Sequence, residues 1–186
     1  MYPCELTEHA KIYLAEFRRI LADMEAGMTG AELCDSISHN FIVQMIPHHR
    51  AAIEMSENIL RYTNCAALER IARGIITEQT ESIAQMEHAL PGCVECTNSR
   101  EALCRYQSRM GGIMKTMFRD MGCAPGTNCL DADFMREMIP HHLGAIRMSE
   151  NALEHAICPA LCPILEAIIC SQKRGVRQMQ NLLRCL

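Results

Sequence analysis

A chain of 186 residues is long enough for one sizeable core or two small ones sharing an interface, and 49% hydrophobic residues supply the material for it. The net charge of −4 comes without basic clusters, aromatics make up 4% and tryptophan is absent, which removes the electrostatic footprint and stacking platforms of a nucleic-acid binder. No stretch approaches the roughly 18 apolar residues of a membrane span, and MYPCELTEHAKIYLAEFRR lacks a signal peptide's apolar centre; the chain as written is expected in the cytoplasm, or in the cell envelope if a signal has been removed.

Apolar spacing is helical throughout, and nothing reads as a strand. The first predicted helix runs from about Thr7 to Gly27 and presents Phe17, Leu21, Met24 and Met28 at i, i+4, i+7 and i+11. The second runs from a capping Ser36 or Ser38 to about Thr63 and contains MIPHH at Met45–His49. The third covers Ala66 to Leu90, where Pro91-Gly92 is expected to close it. A fourth follows from Ser99 to Met121, a fifth from Asp131 to about Ala156 with a second MIPHH at Met138–His142, and a sixth from Ala160 to Leu183.

The second half repeats the first. A shift of 93 positions aligns NFIVQMIPHHRAAIEMSEN with DFMREMIPHHLGAIRMSEN, and brings Tyr13 onto Tyr106, Cys65 onto Cys158, Gln79 onto Gln172 and Met86 onto Met179. The expected fold is therefore all-α: six main helices from two duplicated three-helix units, residues 1–92 and 93–186, packed about a pseudo-two-fold into one bundle.

On a continuous second helix, Met45, His48, His49, Ala52 and Met55 fall within an arc of roughly 120°. The fifth repeats the face with Met138, His141, His142, Ala145 and Met148. Gln79 and Met86, and again Gln172 and Met179, lie at i, i+7 and offer a third wall. A proline inside a helix costs about 3 kcal/mol and frees the carbonyl four residues earlier, here Val43 and Arg136. Its repetition suggests that Pro47 and Pro140 shape something; the alternative places each in the first turn of a helix, where proline is tolerated.

Thioether sulfur is a soft, neutral donor that favours Cu(I) or Ag(I) over Mg, Ca or Zn, and imidazole suits copper in either oxidation state, so this face points to copper. Such a site is expected to hold Cu(I) until its histidines protonate near their ordinary pKa of about 6.5. The stripe Met110, Met114, Met117 and Met121 is read as core filling, and His9, His39, His88 and His155, which have no histidine in the other copy, as surface or capping residues.

Twelve cysteines suit disulfides in one compartment and thiols or metal ligands in another. Cys93-Val-Glu-Cys96 lies at the junction of the copies, and Cys158 and Cys162 flank a helix start; these four are candidates for a disulfide or a thiol metal site. A ferritin-like di-iron oxidase is disfavoured, because no histidine has a glutamate three residues upstream. The reading is a non-catalytic copper-binding protein that buffers, stores or delivers Cu(I), with copper ions and a copper transporter or chaperone as partners and homo-oligomerisation open. The alternatives are a methionine-rich interaction module, or a thiol redox protein using Cys93 and Cys96.

At the FxxxMIPHHxxAIxMSEN block, followed by the Gln79 to Met86 pattern, both copies resemble a bacterial family catalogued as domain of unknown function 305. The resemblance implies a ferritin-like helical bundle and, for some members, copper binding and copper tolerance in the cell envelope. It implies metal contacts at Met45, His48, His49 and Met55, and at Met138, His141, His142 and Met148. The family usually has an acidic residue just before the block's phenylalanine; Asp133 keeps it and Asn40 replaces it. The heavy cysteine content is atypical of the family.

Overall fold

The structure, a computed structural model, describes residues 5–185. Among these it contains six α-helices and no strand: α1 (Glu8–Thr29), α2 (Ile37–Ile59), α3 (Ala66–Cys93), α4 (Arg100–Gly122), α5 (Leu130–Leu153) and α6 (Cys162–Leu183). Three begin on a hydroxyl that satisfies an orphan amide: Thr7 accepts from the Ala10 N–H at 3.2 Å, Ser36 from His39 at 3.2 Å and Ser99 from Ala102 at 3.3 Å.

Pro47 and Pro140 both sit well inside their helices, which excludes the first-turn alternative. Pro91 also lies inside a helix: α3 continues through Pro91-Gly92 to Cys93, correcting the expected stop at Leu90. Two contacts favour the extension, since the last helical carbonyl, that of Cys93, accepts a 2.7 Å hydrogen bond from Ser36 Oγ, and the Cys93 side chain is fully buried.

Helix pairing is the same in the two halves and fits a duplicated arrangement. α2 packs between α1 and α3, and α5 between α4 and α6, while α2 meets α5 and α3 meets α6 across the middle. The second and fifth helices are therefore buried on nearly all sides, which explains why their polar residues as well as their apolar ones are shut away from water. Met110, Met114, Met117 and Met121 are buried core, as expected, and Met117 lies directly over Gly144, where its Sδ would clash with an added Cβ. No helix among the described residues is long and apolar enough to cross a membrane.

Candidate metal centre

Burial gathers the two histidine pairs at the middle of the bundle. His48, His49, His141 and His142 are all at most 2% exposed. The rings of His48 and His141, one from each MIPHH, stack with centroids 3.7 Å apart and planes 29° apart, and each lies next to its own neighbour at 5.8 or 5.9 Å. Met45, Met55, Met138 and Met148 are buried on the same two helices, and Met86 and Met179 are fully buried on α3 and α6.

Hydrogen bonds account for only part of this polar core. His141 Nε2 donates to the His48 carbonyl at 3.1 Å, which fixes its tautomer and leaves Nδ1 as the lone-pair nitrogen. His49 Nε2 lies 3.1 Å from Ser82 Oγ. Both ring nitrogens of His48, Nδ1 of His49, His141 and His142, and Oε1 of Gln79 and Gln172 have no partner although they are buried. A buried polar atom left unpaired costs about 1–3 kcal/mol, so a core that concentrates seven of them, all on residues that could ligate a metal, fits a bound ion, and the neighbouring thioethers are what would make the site soft. No three His, Cys, Asp or Glu side chains among the described residues are gathered to hold one ion, so such an ion would need the thioethers as well as the imidazoles.

Electrostatics keeps the rings neutral. Burial pushes the His49 pKa down to about 3, with the neighbouring His141 adding to the effect, and burial takes His141 to about 4. His48 and His142 are lowered well below the usual value, by burial first and then by the other imidazoles. Burial therefore holds all four rings below the ordinary 6.5 assumed from the sequence.

Other sequence candidates fall elsewhere. Asn40 and Asp133, the two residues before the block's phenylalanine, are both buried and both tie down the loop that precedes their helix. Asn40 bonds Cys34 N and O at 2.8 Å each, and Asp133 accepts from Thr127 N at 2.6 Å and its hydroxyl at 2.7 Å. His9 and His88 are exposed, and His39 and His155 half-buried.

Cys93, Cys96 and Cys158 come together where α3 ends beside the first turn of α2. Cys158 N–H donates to Ser38 Oγ at 2.8 Å, and the Cys158 sulfur accepts from the other two thiols. Burial, together with that shared hydrogen bond, pushes Cys93 up to about 12; burial opposes ionisation of Cys158 too, but the thiols of Cys93 and Cys96 and the Ala160 and Leu161 amides outweigh it and lower its pKa. Cys162 reaches only the Cys158 carbonyl, at 3.9 Å. None of the described cysteines is in a disulfide.

A buried pair is absent from the sequence reading altogether. The Tyr13 hydroxyl donates to Glu137 Oε2 at 2.6 Å, and burial raises the Glu137 pKa to about 8. The signal was in the aligned block, where Gln44 stands opposite Glu137 in otherwise matching surroundings.

These features define a helical bundle with a neutral Met/His core built equally by its two halves. Residues 38–183 match the domain of unknown function DUF305, and the chain belongs to that family. Among solved structures it is similar to CopM in the Ag-bound form, with 26% identity over 79% of this chain and 94% of that one, TM-score 0.60. CopM in the Cu(II)-bound form gives 27% identity over 79% and 96%, TM-score 0.57. A DUF305 fragment from Deinococcus radiodurans, at 24% identity over 81% and 97% with TM-score 0.59, shares the fold. No functionally curated protein matches the sequence.

Proposed function

We propose that this protein is a non-catalytic copper-binding protein that buffers, stores or delivers Cu(I) from the Met/His core. The observation that carries the reading is the set of buried, unpartnered ring nitrogens on His48, His49, His141 and His142. Neutral imidazole presents a lone pair, thioethers need no deprotonation, and a core shielded from bulk solvent favours the soft monovalent ion over hydrated divalent ones. The similarity to CopM, solved with copper and with silver, supports the choice of metal. The ligands are Met45, His48, His49 and Met55 with Met138, His141, His142 and Met148; Gln79, Met86, Gln172 and Met179 stand as further donors. A copper transporter or chaperone is the matching class of partner.

A second reading rests on the thiols. Cys93 and Cys96 both lie beside Cys158, and thiolates are also soft donors, so they would compete for the same ion. An anaerobic Cu(I) titration against a chromophoric chelator separates the two. Protein with alkylated cysteines is expected to retain tight binding, and the variant His48→Ala, His49→Ala, His141→Ala, His142→Ala to lose it while staying helical. Binding that disappears on alkylation alone would assign the copper to the thiols, and no binding in either form would sink the reading.

A further inference from the structure

The two histidine pairs differ in how they meet the surface. α3 and α6 pack across the bundle with a groove at each end of their contact. The two grooves are copies of each other under the 93-residue shift: His49, Ser82, Gln85 and Ala167 line one, and His142, Gly175, Gln178 and Gly74 line the other. Yet the first encloses about 120 Å³ and the second about 600 Å³.

Two substitutions between the copies lie at this difference. Where Ser82 stands over His49 and contacts its Nε2, Gly175 stands over His142, and an added Cβ there would lie 2.9 Å from Nε2 and 2.8 Å from Cδ2. Only a residue without a side chain lets that ring edge face the groove directly, although His142 as a whole stays 2% exposed. Where Ala167 narrows the first groove, Gly74 faces open space: a Cβ added at Gly74 would meet nothing within 4 Å. At the lip of the wider groove the Arg174–Glu78 ion pair, 2.7 Å, joins α6 to α3, and the exposed thiol of Cys185 supplies a soft donor on the outer side.

We infer that the groove between the first half of α3 and the second half of α6 is the passage by which a soft monovalent ion reaches and leaves the core, with His142 Nε2 as its first and last histidine contact, and that the matching groove at His49 is kept shut by Ser82 and Ala167. The inference rests on the copper reading for the identity of the ion. The asymmetry itself does not depend on it. A buried chelate with no open edge would exchange metal only as fast as the bundle opens; one uncovered imidazole edge lets ligands be traded one at a time.

Two measurements on the full-length protein test this. The first needs no metal: carbethoxylation of neutral imidazoles by diethyl pyrocarbonate, read residue by residue by mass spectrometry. His142 is expected to react well ahead of His49 in the wild type, Ser82→Gly to bring His49 up towards it, and Gly175→Ser to protect His142. Equal reactivity of His49 and His142 in the wild type would overturn the inference. The second is the rate of Cu(I) transfer from a chromophoric donor under anaerobic conditions. Gly175→Ser is expected to slow transfer roughly tenfold or more, and Ser82→Gly to leave it as fast or faster. Unchanged transfer in folded Gly175→Ser would refute the passage. If Gly175→Ser does not fold, Gly74→Leu, which fills the same groove where space is free, replaces it with the same expected slowing. Failure of the wild type to take up Cu(I) at all would count against the copper reading, while the labelling would still decide which groove is open.

Discussion

The two halves of this molecule share helices and histidines but settle their buried polar groups differently. At one contact between the halves Tyr13 donates to Glu137, a carboxyl held largely neutral by burial; at the matching contact Tyr106 is fully buried with its hydroxyl unpartnered, and Gln44 donates to the Met28 carbonyl at 3.3 Å. In one half Ser82 meets a histidine, and in the other a glycine uncovers it. The histidines, Asn58/Asn151 and Gln79/Gln172 recur in both halves, whereas Gln44/Glu137 and Ser82/Gly175 differ, as do core apolar positions such as Phe17/Met110 and Ile59/Ala152.

Large apolar truncations would show where the halves are equivalent. Phe41→Ala and Phe134→Ala, both at fully buried positions, are each expected to cost about 3–5 kcal/mol in denaturant unfolding. Costs that differed by more than about half would break the equivalence of the two cores.

The next effect separates them by pH. Glu137 has a native pKa of about 8, above its ordinary 4.5, so the unfolded chain releases this proton first and stability declines as pH rises from about 4.5 to 8. Glu137→Gln, which installs the residue of the other half, should flatten that decline and raise stability at pH 8 by a few kcal/mol relative to its value at pH 5. The histidines act in the opposite sense. Their native pKa values, about 3 for His49 and about 4 for His141, lie below the ordinary 6.5, so their contribution is full above pH 6.5 and is lost as pH falls towards 3. His49→Gln should make the acid limb of a thermal melting series shallower, and an unchanged limb would refute the assignment.

A smaller effect concerns how a proline is housed. A Cβ added to Gly27 would lie 2.9 Å from Pro47 Cβ, whereas the matching position before Pro140 carries Asp120. Gly27→Ala is expected to destabilise by about 1–3 kcal/mol, despite alanine's better helix propensity. Smallest of all, Tyr106→Phe removes a hydroxyl that has no partner and should be neutral or slightly stabilising, while Tyr13→Phe strands Glu137 and should cost about 1–3 kcal/mol. Equal effects of the two tyrosine substitutions would erase the distinction drawn here.

Much of this was legible in the sequence. Helical periodicity placed all six helices, with starts near Thr7 and Ser99 and a cap at Ser36 or Ser38, and the repeated MIPHH marked residues that meet in the core. Pro91 misled because a proline followed by glycine usually ends a helix, and here the Ser36 hydroxyl and the burial of Cys93 reward one more turn. The histidine pKa was misjudged for a different reason: spacing puts a residue on a face, but only packing says how dry that face is. Asn40 and Asp133 drew attention as charge variants near a metal face, yet each binds the loop before its own helix, a contact that depends on chain reversal and has no periodicity to betray it. Ser82 and Gly175 were visible in the 93-residue comparison, but their meaning needed a histidine from another helix beneath them.

The stack of His48 on His141 joins residues 93 positions apart in the chain. Closing so long a loop is slow and entropically costly compared with winding helices, so this contact belongs to the late events of folding, after each half has formed its own helices. A nascent or partly unfolded chain would then carry its buried thioethers and imidazoles scattered and solvated, and the core that gathers them would appear all at once when the halves dock.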